Sequence, residues 1–387
     1  MAELKEPAMS QRRIKVLQLQ NRYNVNASDL AEQVIQGLPV ERYEVVTGFL
    51  RGRPGPGEPE SRAARSVYFG FSQGALKGLR LRALWRLYRF CRAERFDVVV
   101  AHRFKPMNML MILNLLLKIP GCIGVQHGIG DFDRSYRCWE SRRLLRANWR
   151  VVGVSRAVRD YLRGCGAGFT AANTVQINNA IDIARAEGLQ HAPEEARRRL
   201  GLAPEAFVFG TIGRLVPVKG HIHLIEAFAQ LASDFPQAQV AIIGEGRARA
   251  DLEAAIARHG LQARVHLLGA KEDALQYVRG FDAFVMPSLS EGLPLALLEG
   301  MSGHLPVMGS DIDSLRPILE DCGGRIFACG NAAELAVRLR EIAELPPQAR
   351  RAEGERAYAY LCQAHSIDDF RRHYRELIEG MLETGHE

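Results

Sequence analysis

Residues 284–307 read FVMPSLSEGLPLALLEGMSGHLPV. The apolar run ending at Pro287 has the length of a buried strand, and Ser288–Glu291 follows as a polar turn. Gly292-Leu293-Pro294 then opens a helix that contains Glu299. Proline suits the first helical turn, where its missing N–H costs nothing. A helix start offers free backbone N–H groups and a positive dipole end, both suited to a diphosphate. Glu291 in the turn and Glu299 inside the helix are eight residues apart. Two such carboxylates can bind hydroxyls at opposite ends of one ligand, for example a sugar and a ribose. Taken alone, the same spacing is what a helix-start acid followed by a surface acid produces.

Outward from this segment the chain alternates strands and helices. In the second half the pattern predicts strands at Phe207–Ile212, Val240–Gly244, Val265–Leu268, Ala283–Met286 and Pro306–Gly309. Helices are predicted at His221–Ser233, Arg247–His259, Asp273–Arg279 and Pro294–Met301. The first half carries the same rhythm, with strands at Ile14–Gln20, Tyr43–Phe49, Asp97–Ala101, Cys122–Gln126 and Trp149–Val154. Its helices are expected over Ser28–Leu38, Gly74–Glu94, Lys105–Lys118 and Ser155–Arg163, and Arg51–Arg62 is a Pro/Gly loop. Such alternation implies βαβ units and parallel sheets. Polar Ile183–Pro204, with a short helix at Glu194–Leu200, reads as a connection between domains. Arg350–Leu361 and Ser366–Thr384 read as two closing helices. The fold class is therefore α/β, with two Rossmann-like domains at 1–187 and 188–365 and a terminal helix over 366–387. A chain of 387 residues exceeds one typical core. Open α/β sheets bind ligands beyond the carboxyl ends of their strands, so the expected active site is the cleft between two such lobes.

Composition narrows the function classes. Hydrophobic residues make up 47% and charged residues 25%, an ordinary globular balance that leaves no room for a disordered chain. The seven cysteines are scattered with no CxxC spacing, which points to a reduced, cytoplasmic protein rather than a zinc site or disulfide frame. Met1–Arg13 lacks the apolar stretch of a signal peptide. Met107–Ile119, the most apolar run, is too short to span a bilayer. The net charge is +7, yet residues 1–190 carry +14 and the rest carry −7. The first half is thus expected to meet something anionic.

In this context the E-x7-E element, Glu291 to Glu299, resembles the mark of glycosyltransferase family 4, a retaining family with the two-lobed GT-B fold. Gly213-Arg214-Leu215…Lys219-Gly220 is similar to the family's donor-phosphate segment, and Gly244-Glu245-Gly246 to its next strand-end turn. Val154-Ser155 and Asn179-Ala180-Ile181-Asp182 resemble its interdomain markers. The resemblance covers about Ile14 to Phe327. It implies an N-terminal acceptor domain, a C-terminal nucleotide-sugar domain, and a terminal helix that packs back on the first. Implied donor-binding residues are Gly213, Arg214, Lys219, Gly244, Glu291, Gly292, Leu293 and Glu299. No cofactor is implied beyond a UDP- or GDP-sugar substrate, and no Asp-x-Asp metal site stands in a suitable turn.

Arg214 and Lys219 have a physical role of their own. Breaking a sugar–phosphate bond builds negative charge on the diphosphate, and two cations there stabilise the transition state more than the ground state. Arg grips phosphate oxygens in a fork while Lys supplies a point charge. They offer the charge a metal would otherwise provide. In the first half, His127 follows the strand Cys122–Gln126, where the family often holds a His beside the reacting sugar. His102 at the end of Asp97–Ala101 is its rival, and Asp131 is a further acceptor-side candidate. The family's glycine-rich turn after the first strand is replaced by Asn21–Ser28, so Asn24 and its neighbours are expected to substitute for close backbone approach. The usual Gly-Gly-x-x-E region reads Asp313-Ser314-Leu315-Arg316-Pro317, and its sugar contacts do not carry over.

Gly74–Arg95 interleaves seven cations, including Arg80, Arg86 and Arg89, with Leu, Trp and Tyr. A basic amphipathic helix of this kind suits an anionic membrane surface. A second basic cluster spans Arg134–Arg150 with Tyr136, Trp139 and Trp149. No recognition motif accompanies the charge, so nucleic acid is not expected. The resemblance then implies transfer of a hexosyl group, with retention, to a hydroxyl of an envelope glycolipid such as a lipopolysaccharide core or lipid-linked oligosaccharide. The protein would work at the inner face of the cytoplasmic membrane. The same fold also serves enzymes with soluble acceptors, epimerases and phosphorylases. A non-catalytic lectin-like role would tolerate loss of Arg214, Lys219 or Glu299, and all three are present.

Overall fold

A computed structural model of the chain describes residues 12–26 and 29–383. Ser28 and Thr384, expected ends of two helices, lie outside the described residues, as does most of the polar segment Met1–Arg13. Thirteen strands are found among the described residues: β1 (Ile14–Gln20), β2 (Tyr43–Phe49), β3 (Arg65–Tyr68), β4 (Val98–His102), β5 (Gly121–Gln126), β6 (Trp149–Gly153), β7 (Thr174–Gln176), β8 (Phe207–Ile212), β9 (Ala238–Ile243), β10 (Val265–Leu267), β11 (Ala283–Met286), β12 (Val307–Asp311) and β13 (Arg325–Ala328). They form two sheets, in the orders β3-β2-β1-β4-β5-β6-β7 and β10-β9-β8-β11-β12-β13. Every pairing is parallel. Helices cover both faces of such a sheet, which is why strands such as VVVA at 98–101 are apolar throughout and fully buried.

Each sheet reverses its strand order once, between β1 and β4 and between β8 and β11. Loops leaving two such strands diverge and leave a crevice at their carboxyl ends. That topology selects four loops as ligand-facing: those after β1 and β4 in the first sheet, and those after β8 and β11 in the second.

The described chain separates into two compact units. The first holds the chain up to Gly153, Tyr161–Ile177 and the segment from Arg371 onward; the second holds Val154–Asp160 and Asn178–Phe370. The second unit therefore begins ten residues before 188, and Ile183–Pro204 is no free connection. It folds into helices Ile183–Leu189 and Pro193–Leu200, whose Ala186, Leu200 and following Leu202 are buried in the second unit's core. The last helix, Ile367–Glu383, changes unit at Arg371. In the first unit Arg371 donates to Gln33, and Glu379 accepts from Arg42 and Tyr43 at 2.7 and 3.0 Å.

Two further expectations need correction. The helix predicted from Gly74 begins only at Leu81, because Gly74 and Gly78 break the run and Arg80 adopts a left-handed φ of 53°. The helix predicted at Asp273–Arg279 is a 3₁₀ segment, Ala274–Gly280. Strands β3, β7 and β13 are only three or four residues long, and the helix Ser135–Leu144 is mostly polar, so neither is read from pattern alone.

Candidate active site

The second unit builds its site from three strand-end loops that interlock through their backbones. After β8, Gly213 N donates to Ile243 O and Leu215 N to Glu245 O, both at 2.9 Å. After β9, Ala248 N returns to Leu215 O at 2.9 Å, and after β11 Leu289 N donates to Val218 O at 2.8 Å. Such contact needs glycines. A Cβ on Gly244 would stand 1.9 Å from Gly213 O, and one on Gly220 would stand 1.9 Å from Pro287 O. Gly220 and Gly244 therefore let the loops that carry Arg214, Lys219 and Glu291 close on one another, whereas a Cβ on Gly213 would meet only ordinary contacts at 3.7 Å.

Within this frame Lys219 Nζ donates to Glu291 Oε1 at 2.5 Å, and Ser288 Oγ donates to the same oxygen at 2.7 Å. The two charged side chains are 17% and 11% exposed. Arg214 is exposed, one residue past Gly213. Gly292 and Leu293 are held from beneath: Ser155 Oγ donates to Gly292 O at 3.0 Å, and Asn179 Nδ2 to Leu293 O at 3.2 Å. His365 Nδ1 in turn donates to Asn179 O at 2.7 Å. Ser155 and Asn179 thus support the turn that carries Glu291, a role their sequence positions did not reveal.

Glu299 lies in the helix Leu295–Ser302. The next residue, Gly300, lets the helix press on β11, since a Cβ there would meet the Phe284 ring at 2.4 Å. The Glu299 carboxylate is half-buried and has neither hydrogen bond nor ion pair among the described residues. Burial pushes its pKa up to about 7, the negative charge of Asp273 adds to this, and Arg185 opposes it. Arg185 is itself paired with Asp273 at 2.9 Å. A half-buried carboxyl without a partner is an unmet demand for hydrogen-bond donors.

Pattern reasoning missed His221, the first residue of helix His221–Leu231. It is buried under the Gly213 turn, where a Cβ on Gly213 would stand 3.7 Å from its Nε2. Burial, with the Lys219 charge beside it, lowers its pKa to about 4. A neutral ring there fills space beneath the loop without adding a third cation. Its place directly after Lys219-Gly220 was the available signal.

In the first unit, His102 ends β4 and His127 follows β5, so parallel neighbours bring both to one sheet edge. His102 Nδ1 lies 3.2 Å from His127 Nε2. Burial lowers the pKa of both, His102 to about 4, and the Arg103 charge adds to the effect. The pair is therefore neutral at pH 7, with one ring donating and the other accepting. His102 is buried and commits Nδ1 to this contact, whereas His127 Nδ1 makes no hydrogen bond among the described residues. Asp131 is tied to Arg137, whose Nη1 donates to Asp131 O at 2.6 Å. Asn24 is exposed in the loop after β1. The expected site residues thus form two groups, eight in the second unit and four in the first.

Two family models match the chain. Residues 193–378 match "Glycosyl transferases group 1", and residues 29–185 match "Glycosyltransferase Family 4". Among curated relatives, the chain is 26% identical to the UDP-Gal:alpha-D-GlcNAc-diphosphoundecaprenol alpha-1,3-galactosyltransferase of Escherichia coli, over 60% of this chain and 62% of that one. It is 26% identical to the D-inositol 3-phosphate glycosyltransferase of Corynebacterium jeikeium, over 78% of this chain and 77% of that one. Against four of the curated relatives, the Escherichia coli galactosyltransferase among them, the chain spans 33 to 62% of the relative's length. Among solved structures, Anabaena HepE in complex with UDP and glucose superposes with a TM-score of 0.79 at 20% identity, covering 95% of this chain and all of that one.

Proposed function

The chain belongs to the family 4 type of glycosyltransferase with the GT-B fold, and from that premise we propose that it moves a hexosyl group from a UDP-sugar to a hydroxyl of an envelope glycan or glycolipid. The observation that carries this reading is the second unit's pairing of cations with carboxylates. Lys219 and Arg214 lie in the loop after β8, Glu291 in the turn after β11 and Glu299 in the helix that follows it. In this reading the nucleotide ribose supplies the hydroxyls that Glu299 lacks. Glu291, released from Lys219 when phosphate oxygens take the ammonium, accepts from the transferred sugar. The two cations stabilise the leaving diphosphate without a metal ion, and transfer retains anomeric configuration. His127 presents Nδ1 to the reacting sugar, and His102 orients it. A relative acts on a UDP-sugar and HepE holds UDP and glucose, which favours uridine over guanosine.

A panel of nucleotide sugars, followed for slow hydrolysis, tests the reading and identifies the donor. Titration calorimetry with UDP alone then separates the two acids. Glu299→Ala is expected to weaken UDP binding, while Glu291→Ala spares UDP and damages transfer. An ionised carboxylate accepts hydroxyl donors more strongly than a protonated one. With the Glu299 pKa at about 7, UDP affinity should rise from pH 6 to pH 8, and Glu299→Gln should flatten that rise. Equal loss of UDP in both alanine variants would overturn the division of labour.

The acceptor reading rests on the basic face of the first unit. Helix Leu81–Glu94 buries Ala83, Leu87 and Cys91 on one side and leaves Arg82, Arg86, Arg89 and Trp85 exposed on the other. Trp85 is 57% and Trp139 60% exposed, each with an arginine over its ring. Arg80 does not belong to that face, because it is half-buried and donates to Asn108 Oδ1 at 2.7 Å. No helix among the described residues is long and apolar enough to cross a membrane. Each basic residue held near an anionic bilayer contributes about 1 kcal/mol, screened by salt. The protein should sediment with phosphatidylglycerol vesicles at low salt and leave them as salt rises. Arg82, Arg86 and Arg89 changed together to Glu should abolish sedimentation and leave donor hydrolysis intact. Unmodified protein that stays in the supernatant at low salt would shift the reading to a soluble acceptor.

A further inference from the structure

Six cations gather at the ligand-facing edge of the first unit: Arg103 and Lys105 follow β4, and Arg80, Arg51, Lys77 and Arg137 are near enough for their charges to act on Lys105. Only Arg137 has a carboxylate partner among the described residues, Asp131 at 3.5 Å. Geometry ties the group to the helix Phe104–Leu117, which follows β4. Arg103 directly precedes that helix and Lys105 lies in its first turn. Arg80 Nη2 donates to Asn108 Oδ1, one turn beyond Lys105. Glu140 Oε2 accepts from Asn108 Nδ2 at 3.0 Å and so keeps the amide oxygen turned to Arg80. Arg137 lies over the Phe104 ring, 4.4 Å from its centroid. Arg51 follows β2, where its carbonyl accepts from Tyr23 N at 2.8 Å.

Two independent features mark these side chains as more than solvated surface charge. Burial, followed by the charges of Arg80, Arg51, Lys77 and Arg137, lowers the pKa of Lys105. The protein thus holds like charges together with Asp131, on Arg137, as their one ion-paired carboxylate among the described residues, and Arg80 Nε is buried without a hydrogen-bond partner. Arg103 also has φ 71° and ψ 169°, a conformation that glycine adopts and side chains avoid. Its side chain is exposed, so packing does not explain why an arginine stands there.

We propose that these six side chains form a binding site for a phosphate or diphosphate group carried by the acceptor. The word acceptor rests on the glycosyltransferase reading above; the anion site itself does not. Forked guanidinium groups and an ammonium are the usual recognition set for phosphate oxygens. The edge that carries them also carries His127, so a bound phosphate would place the acceptor's sugar beside that imidazole. The same chemistry could be offered by a phospholipid headgroup, and the test separates the two sources.

The full chain is first saturated with UDP, which occupies the donor site, and pyrophosphate is then titrated calorimetrically at low ionic strength. One further equivalent should bind, more weakly as salt is raised. Arg103→Gly and Lys105→Ala should each lower that affinity roughly tenfold, while Arg82→Ala leaves it unchanged. Arg103→Gly guards against a folding artefact, because glycine relieves the backbone and should hold or raise Tm. Absence of the extra equivalent, or unchanged affinity in both variants, overturns the proposal. Glucose 1-phosphate and phosphatidylglycerol vesicles form the second arm. If the variant that combines Arg103→Gly with Lys105→Ala loses glucose 1-phosphate but sediments like the unmodified protein, the site serves the acceptor. If vesicle binding falls and glucose 1-phosphate never binds, the acceptor assignment is overturned in favour of a headgroup. Failure of UDP to bind at the outset would overturn the choice of uridine made above, and the titration is then repeated with the donor site saturated by the nucleotide that the panel identifies.

Discussion

Lys219→Ala should lower turnover by about 10²-fold or more, and Arg214→Ala by a similar factor, with weaker effects on substrate binding. Charge develops on the leaving diphosphate only as the sugar–phosphate bond breaks, so cations positioned there act mainly on kcat. The two residues differ in the free protein. Lys219 is held by Glu291 at 2.5 Å, whereas Arg214 is exposed with no partner among the described residues. Removing Lys219 also leaves Glu291 with Ser288 as its hydrogen-bond donor, so part of the loss in Lys219→Ala should come from a misplaced Glu291. Lys219→Ala should therefore lose some stability, and Arg214→Ala little. Steady-state kinetics on material of known folded fraction measures this, and near-normal kcat in both variants would rule out the phosphate assignment.

Gly220→Ala should be the costliest small substitution in the second unit. The residue has φ 64°, where any Cβ is strained, and its Cβ would stand 1.9 Å from the carbonyl oxygen of Pro287. Neither atom is the end of a flexible side chain, so a backbone segment must move. The segments in question are the turn after Lys219 and the start of the loop that carries Glu291. The expected loss is more than about 2 kcal/mol, which for a unit of this size lowers Tm by roughly 4 to 8 °C. UDP should no longer restore the lost stability, because the loops that bind it have separated. Gly188→Ala is the control: it lies in helix Ile183–Leu189 with nothing within 4 Å of its Cβ, and should hold or raise Tm. A Gly220→Ala protein that melts within about 1 °C of the unmodified chain would show that the loops are not locked together.

Much of the frame was legible because it depends on local periodicity. Strands β8 and β11 lie where their apolar runs predict them, since a fully buried parallel strand needs little more than a short β-branched or aromatic run between turn residues. Strand β3, RSVY, and strand β13, RIFA, escaped because they sit at sheet edges, where half of a strand's surroundings are solvent and its composition is mixed. The false start at Gly74 had a different cause. Leu76 and Leu79 continue the apolar spacing of the helix, but Gly74, Gly78 and the left-handed Arg80 turn the chain before it.

The sequence by itself determined the α/β class, the two parallel sheets and the identity of the residues after β8 and β11, because each follows from a contiguous run read in order. Tertiary structure decided what those residues do to one another. Lys219 and Glu291 are 72 positions apart and meet only because β8 and β11 are neighbours in the sheet. His102 and His127 pair only because β4 lies beside β5, and Asn179 supports Leu293 from 114 positions away. Arg103 and Lys105 look like ordinary loop and helix cations until Arg80 and Arg137 are folded against the same helix. The ionisation of Glu299 is likewise invisible in sequence, since it depends on burial and on the nearby charges of Asp273 and Arg185, neither of which is close to it along the chain.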